Sequence, residues 1–155
     1  MTETYEHQDR RVARLRDLRA LVDYGVAAGI GVGHSLGVTL ETLEEGRSVW
    51  TLTPSPRTAN ALYTVHGGVL ATLMDTAMGS AVYAALPERT TYTTAELSTK
   101  FVRAVRLDDP EITCEASVLH LGKQTATAEC RVVTVDGRLV AHGSCLCLVF
   151  PVPQG

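Results

Sequence analysis

The spacing of hydrophobic residues changes along the chain, and each change predicts a different kind of element. Over Gln8–Tyr24, apolar residues recur at every third or fourth position among arginines and aspartates, which predicts an amphipathic helix. The glycine-rich stretch Gly25–Gly37 predicts a loop after this helix. From Val38 the apolar period becomes two, which predicts two short strands joined by a turn at Glu45 and Gly46.

A long apolar segment and four strand-like stretches make up the rest of the chain. The segment from Gly67 to Leu86 predicts a helix about 30 Å long, and a helix that is apolar on every side is expected to be buried. Asp136-Gly137 predicts a two-residue hairpin turn. Together these signals predict an α+β fold in which an antiparallel sheet of about six strands wraps around one long buried helix, preceded by the amphipathic helix. The four later strands are expected over Thr91–Val105, Glu111–Leu121, Gln124–Val135 and Arg138–Phe150.

Length and composition limit the classes of protein that the chain can represent. Its 155 residues suit one domain, which we expect over residues 35–155, after an N-terminal helix and glycine-rich loop over residues 1–34. The net charge of -3 disfavours nucleic acid as a partner. Aspartates offset the arginines of the first helix, so we expect a solvated helix face and not a DNA-binding arm. Because no secretory signal or membrane span is evident, we expect a soluble cytoplasmic protein without a membrane partner.

Cysteine use indicates a reduced protein. The four cysteines lie in predicted strands, without a C-x-x-C pair or a histidine at zinc-finger spacing. A chain of this size does not need disulfide staples. We therefore expect buried free thiols at Cys114, Cys130, Cys145 and Cys147.

One apparent catalytic motif lacks the context that it requires. Residues 33–37 match the G-x-S-x-G pattern of serine hydrolases, but that nucleophile lies between a strand and a helix of a large parallel sheet. Here a strand follows the motif, and the antiparallel hairpins leave no βαβ unit. We therefore expect an ordinary loop. The overlapping glycines of residues 29–33 are no better placed for a dinucleotide-binding loop.

A second constellation combines an oxyanion donor with a carboxylate. Gly67 and Gly68 leave the first amides of the apolar helix unshielded, and such amides bind developing negative charge in acyl transfer. Asp75 is costly in an apolar segment unless it is paired or reaches a polar cavity, although a structural hydrogen bond or an exposed subunit edge would also explain it. Because Gly67 and Asp75 are about 12 Å apart along one helix, two antiparallel helices from paired subunits would be needed to form a site. This reasoning predicts an obligate dimer or a larger assembly.

Asn60, the His66-Gly67-Gly68 triplet and Asp75, followed by four strands, resemble the hotdog-fold acyl-CoA thioesterases of the phenylacetate-degradation type, related to the 4-hydroxybenzoyl-CoA thioesterases. The resemblance covers about residues 35–150 and includes the later segments G-K-Q-T-A-T-A-E and G-R-L-V-A-H-G-S. It implies that the Gly67 amide polarises the thioester carbonyl and that Asp75 of the partner subunit acts as general base or nucleophile. Asn60 and His66 would orient water and thioester, and Gly68 would contribute to substrate binding.

The resemblance also implies supporting residues on the strands. A Ser or Thr on the strand after the helix often assists, and here Thr93 or Thr94 would take that place. Where the family usually carries glycine three residues before the histidine, this chain has Tyr63, which would contact the acyl group or pack at the subunit interface. On charge alone, the candidates for the phosphates of coenzyme A are Lys100, Arg103, Arg106 and Lys123.

The expected reaction is the hydrolysis of an acyl-CoA to a carboxylic acid and free coenzyme A, without a metal or redox cofactor. We expect a homo-oligomer with a dimer as the minimal active unit, and a tetramer as the assembly that the family implies. The sequence leaves the acyl group open. Two alternatives remain at this point: a non-catalytic acyl-CoA sensor, and a hotdog hydratase or dehydratase acting on acyl thioesters.

Overall fold

Two helices precede the sheet in the computed structural model, which describes residues 2–152 and, for side chains, residues 14–152. Helix α1 spans Thr2–Ala27 and includes the predicted Gln8–Tyr24 helix. The loop prediction for Gly25–Gly37 is wrong in part, because α1 runs past Gly25 and the short helix α2 spans Gly31–Leu36. One glycine within a helix costs only about 1 kcal/mol. The glycines that follow the two helices are Gly29, two residues after the end of α1, and Gly37, directly after α2; both have φ 71°, in the left-handed region that favours glycine.

The strands form one antiparallel sheet, as predicted. Strands β1 and β2 are the expected hairpin, and the order across the sheet is β1-β2-β4-β5-β6-β3. Helix α3 spans Gly67–Ala85 and packs against all six strands. The strands extend over Val38–Glu44 (β1), Arg47–Leu52 (β2), Thr90–Phe101 (β3), Ile112–Leu121 (β4), Thr125–Val133 (β5) and Leu139–Pro151 (β6).

The turn between β5 and β6 differs from the two-residue turn predicted at Asp136-Gly137. The backbone amide of Thr134 donates to Arg138 O at 3.0 Å, so three residues lie between the last paired positions. Gly137 has φ 80°, which a three-residue hairpin requires at its final position. The glycine was therefore a correct turn signal, while the turn is one residue longer than expected.

Helix α3 is buried on most of its circumference. Leu73, Met74 and Met78 are completely buried against the sheet, and the Ser48 hydroxyl donates to the Ala77 carbonyl at 2.7 Å. The expectation that every side is buried is wrong for one face, on which Asp75 and its neighbours are half-buried. That face of α3 lies next to β3. Because β3 is the last strand of the sheet, no further strand covers the helix beyond it.

All four cysteines are buried and free, as predicted. Cys145 and Cys147 lie on the same face of β6, with their sulfur atoms 3.7 Å apart. Each faces the core beside α3, where Cys147 is 0% exposed. The thiols therefore act as small core side chains, two of which are close to Asp75.

Arginines attach α1 to the domain, contrary to the expected solvated face. Arg14 donates to Leu86 O at 3.2 Å and Pro87 O at 2.6 Å, and its guanidinium lies 4.4 Å from the centre of the Tyr83 ring. These carbonyls follow the C-terminal end of α3, where a cation is favoured. Arg19 similarly donates to the backbone carbonyls of β1. Helical spacing could not show that these side chains reach carbonyls that are distant in sequence.

The helices within residues 2–152 include no candidate for a membrane span. None of them combines the length and the hydropathy that a bilayer span requires.

Candidate active site

Asp75 is held by a hydroxyl from the edge strand. The Thr94 hydroxyl donates to Asp75 Oδ1 at 2.8 Å. Because side chains alternate along β3, the neighbouring Thr93 is exposed on the other face. The structure thus distinguishes between the two threonines that the sequence left open. It also leaves the second oxygen of Asp75 without a partner among the described residues.

Two cysteines lie behind this pair. Thr94 and Cys147 are direct cross-strand partners in the β3–β6 ladder, so their side chains share one face of the sheet. The hydrogen bond to Cys147, together with burial, raises the pKa of the Cys145 thiol well above its usual range. The same bond, and the nearby Thr94 hydroxyl, lower the pKa of the Cys147 thiol. The two thiols therefore form a buried hydrogen-bonded pair next to Thr94.

Tyr92 is a further neighbour of Asp75 that sequence reasoning missed. Burial, followed by the nearby Cys147 and Asp75, raises the pKa of the Tyr92 phenol well above its usual value. Its ring packs so closely on α3 that a Cβ at Gly79 would lie 2.2 Å from Tyr92 Oη. The available signal was Gly79 itself, a glycine in the interior of a helix, where such a residue commonly marks a close approach.

The N-terminus of α3 presents one free amide. His66 is the N-cap residue, and its Nδ1 accepts a hydrogen bond from the Gly68 amide at 2.8 Å. The amides of Val69 and Leu70 donate to His66 O. Within residues 2–152, the Gly67 amide alone among these first four has no acceptor. Of the two glycines proposed from sequence, Gly67 is therefore available to a ligand oxygen, whereas Gly68 is capped.

Asn60 shapes the loop that leads to this helix. Its Oδ1 accepts from the amides of Leu62 and Thr64 at 2.9 and 3.1 Å, and its Nδ2 donates to Thr64 Oγ1 at 2.9 Å. Tyr63, inside this loop, has φ 59° and a side chain that is 79% exposed. Glycine adopts a left-handed backbone without strain, which explains why the family that this chain resembles usually has glycine at this position.

The candidate phosphate-binding cations separate into distinct places. Arg103 and Arg106 line one cleft of about 490 Å³, to which Arg138 also contributes. Arg106 is paired with Asp108, at 2.9 Å. Lys100 donates to Ser98 on β3 at 3.0 Å, outside this cleft. Lys123 lies in the turn before the first residue of β5, whereas the cleft adjoins the last residues of β5. The length of β5 separates the two places by about 30 Å.

Within one chain, the Gly67 amide and Asp75 do not meet. They are eight residues apart on α3, or about 12 Å along its axis. Gly67 lies beside the end of β3, where a Cβ would contact the Phe101 ring at 3.5 Å, while Asp75 lies beside Thr94. One chain therefore supplies an amide and a carboxylate that belong to two separate places.

Comparisons with known proteins find similarity to thioesterases. The model of the thioesterase superfamily matches residues 63–141. The acyl-coenzyme A thioesterase PaaI of Escherichia coli is 30% identical over 107 residues, which cover 69% of this chain and 74% of that protein. VNG_1336C of Halobacterium salinarum, provisionally described as an esterase, is 42% identical over 72 residues, which span 45% of this chain and 46% of its length.

Solved structures share the same architecture. The conserved protein PA5202 of Pseudomonas aeruginosa superposes with a TM-score of 0.71 at 30% identity, covering 76% of this chain and 92% of that one. Thioesterase HI1161 of Haemophilus influenzae superposes with a TM-score of 0.78 at 21% identity, covering 90% of this chain and 92% of that one. The second similarity is evidence for the fold alone.

Proposed function

The chain belongs to the thioesterase superfamily, and from that premise we propose that it hydrolyses acyl-CoA at sites shared by two subunits. The predictions of a hotdog fold and of a thioester hydrolase are confirmed by this membership. The acyl-CoA substrate, the residue roles and the assembly are the content of the proposal.

The proposed chemistry uses one amide and one carboxylate. The free Gly67 N–H, at the positive end of α3, donates to the thioester oxygen as negative charge develops there. Asp75 of the partner subunit, whose Oδ1 is held by Thr94, acts through its other oxygen as general base toward water or as nucleophile. The C–S bond breaks, a C–O bond forms from water, and the products are a carboxylic acid and the thiol of coenzyme A.

The edge strand β3 offers a way to bring these groups together. β6 pairs with one side of β3, and no strand within residues 2–152 pairs with the other side. An unpaired edge of twelve residues readily adds a second strand. Antiparallel pairing of two copies of β3, centred on Leu97, would set Thr94 of one copy opposite Lys100 and next to Phe101 of the other. Because Asp75 adjoins Thr94 and Gly67 adjoins Phe101, this arrangement would form two equivalent sites.

The remaining residues take supporting roles in the proposal. His66 and Asn60 use their side chains to cap α3 and to hold the preceding loop, so we assign them the positioning of the Gly67 amide and not direct contact with water. Tyr63 extends from the same loop and would contact the acyl group or the partner subunit. Arg103 and Arg106, which share a cleft near this loop, remain the better candidates for the phosphates of coenzyme A.

This proposal depends on one observation: the Gly67 amide is free at the N-terminus of the helix that also carries Asp75. We expect the protein to release free thiol from one or more of benzoyl-, phenylacetyl-, hexanoyl- and palmitoyl-CoA. Asp75→Asn is expected to lower kcat at least about a hundredfold without changing the assembly on size-exclusion chromatography. Undiminished turnover by the variant would refute the role of Asp75.

Absence of turnover on every substrate, with binding retained, would instead favour the acyl-CoA sensor. Incubation with an enoyl-CoA provides a second control, because formation of a hydration product would favour the hydratase alternative. These outcomes separate the three functions that the sequence left open.

A further inference from the structure

We propose that the Tyr92 phenol is a catalytic residue that, together with Asp75, holds the water that attacks the thioester. This inference deepens the proposed function and rests on Asp75 as the acting carboxylate, for which it selects the role of general base. It concerns a hydroxyl that the proposed chemistry does not otherwise use.

Strand β3 brings Tyr92 to the same face of α3 as Asp75. The Thr94 hydroxyl donates to Asp75 Oδ1 at 2.8 Å, and two residues earlier on β3 the Tyr92 phenol packs on Gly79. Side chains two positions apart in a strand share one face of the sheet. Both side chains therefore approach α3 from the same side.

The phenol oxygen lies about one helical turn from the carboxylate. Tyr92 Oη occupies the space that a Cβ at Gly79 would take. Gly79 follows Asp75 by four residues on α3, and Cβ atoms at this spacing lie about 5–6 Å apart on one face of a helix. A water that lies about 2.8 Å from each of two oxygens joins atoms about 4.5 Å apart. One water therefore spans the gap between the Asp75 carboxylate and the Tyr92 phenol.

Both oxygens are available to such a water. Among the described residues, Thr94 is the one partner of the Asp75 carboxylate, and Tyr92 Oη has no partner. The side-chain atoms that are fully buried without a partner within residues 14–152 are Arg14 Nε and Trp50 Nε1. Tyr92 Oη is not one of them, so it retains contact with solvent. The fold thus brings a phenol to α3 beside Asp75 and leaves its hydrogen-bonding capacity unused.

The proposed step uses the phenol in its neutral form. Burial, followed by the nearby Cys147 and Asp75, raises the pKa of Tyr92, so the phenol keeps its proton at neutral pH. The water donates one hydrogen bond to the free oxygen of Asp75 and the other to Tyr92 Oη, which leaves a lone pair directed at the thioester carbon. As the C–O bond forms, Asp75 accepts the first proton. The C–S bond then breaks, and Asp75 returns the proton to the sulfur of coenzyme A.

Tyr92→Phe removes the hydroxyl and keeps the ring on α3. We expect kcat to fall about tenfold with KM within about twofold, because the water loses one of its two hydrogen bonds while the substrate loses none. The loss should be equal for every acyl-CoA that the wild type hydrolyses, since the same water attacks each of them. Tyr83→Phe is the matched control and should keep the wild-type kcat, because Tyr83 is eight residues from Asp75, about 12 Å along α3.

Gly79→Ala is a second variant, which displaces the hydroxyl without removing it. The new Cβ would take the place of Tyr92 Oη, so kcat should fall about fivefold or more. In a Tyr92→Phe background the same substitution should cause little further loss of kcat, because no hydroxyl remains to be displaced. Equal losses in the two backgrounds would overturn the proposal. A Tyr92→Phe defect that appears in KM and varies with the acyl group would also overturn it, because the phenol would then contact the acyl group and not the water.

The two proposals fail in different ways. Full activity of Asp75→Asn would remove the proposed function, and this inference with it. An inactive Asp75→Asn together with a Tyr92→Phe variant of wild-type kcat would refute the role of the phenol alone. Melting temperatures of all variants show whether a change in kcat follows from lost stability.

Discussion

Replacing Gly79 by alanine tests whether Tyr92 is fixed against α3 beside Asp75. The new Cβ would lie 2.2 Å from Tyr92 Oη and 3.0 Å from its Cζ, whereas ordinary contacts lie at 3.4–4 Å. The hydroxyl must therefore move by about 1 Å. Alanine gains about 1 kcal/mol in helix propensity over glycine, but overpacking of a core costs about 1–3 kcal/mol. We expect Gly79→Ala to lower the free energy of unfolding by about 1 kcal/mol.

The same substitution should be much less harmful when the hydroxyl is absent. In a Tyr92→Phe background the closest remaining atom is the former Cζ, at 3.0 Å, which requires a smaller shift. Gly79→Ala is then expected to be neutral or slightly stabilising, since the helix-propensity gain remains. Urea denaturation at one fixed subunit concentration measures both effects. Equal losses of stability in the two backgrounds would refute the close contact between Tyr92 and α3.

Three further predictions concern the loop, the oxyanion donor and the N-terminal helix. Gly67→Pro should lower kcat about a hundredfold or more, because it removes the amide proton at a helix position that tolerates proline. Gly67→Ala should retain most activity, because it keeps the amide and its Cβ would meet the Phe101 ring at an ordinary 3.5 Å. Equal activities would argue against the oxyanion role. Because Tyr63 has φ 59°, Tyr63→Gly should be more stable to urea than Tyr63→Ala by about 1 kcal/mol, and the reverse order would contradict the left-handed backbone. Arg14→Ala should lower the free energy of unfolding by about 1–3 kcal/mol, and Arg14→Lys should recover only part of it, because one ammonium cannot reproduce the fork in which Nη1 donates to Leu86 O and Pro87 O while Nη2 donates to Thr90 O. Full recovery by lysine would show that charge alone suffices.

Much of the fold was evident from the spacing of apolar residues. The hairpin around Glu45 and Gly46, the start of α3 at Gly67 and the four later strands follow from local periodicity and turn residues. Local patterns are sufficient here because each element buries one face, or nearly all of its surface, in one core. Helix α2 escaped prediction, because a glycine-rich stretch offers little local preference and the helix depends on its contacts with α1 and β1.

The candidate site was only partly evident from sequence. Asp75 and Gly67 could be proposed because a charge and a glycine pair are unusual in an apolar helix. The roles of His66 and Asn60 changed, because both side chains bind backbone amides within their own loop. The arrangement of Thr94 and Cys147 around Asp75 depends on strand register across β3 and β6, and no local pattern in one sequence specifies register between strands so far apart.

The shared site is tested most directly by combining two inactive subunits. Gly67→Pro and Asp75→Asn, carried on differently tagged chains and co-expressed at equal levels, should each have little activity alone. If each site takes its amide from one subunit and its carboxylate from the other, half of randomly formed dimers contain one intact site, so the mixture should recover about a quarter of wild-type kcat. If both groups act within one chain, every site stays defective and no activity returns, which would contradict the account.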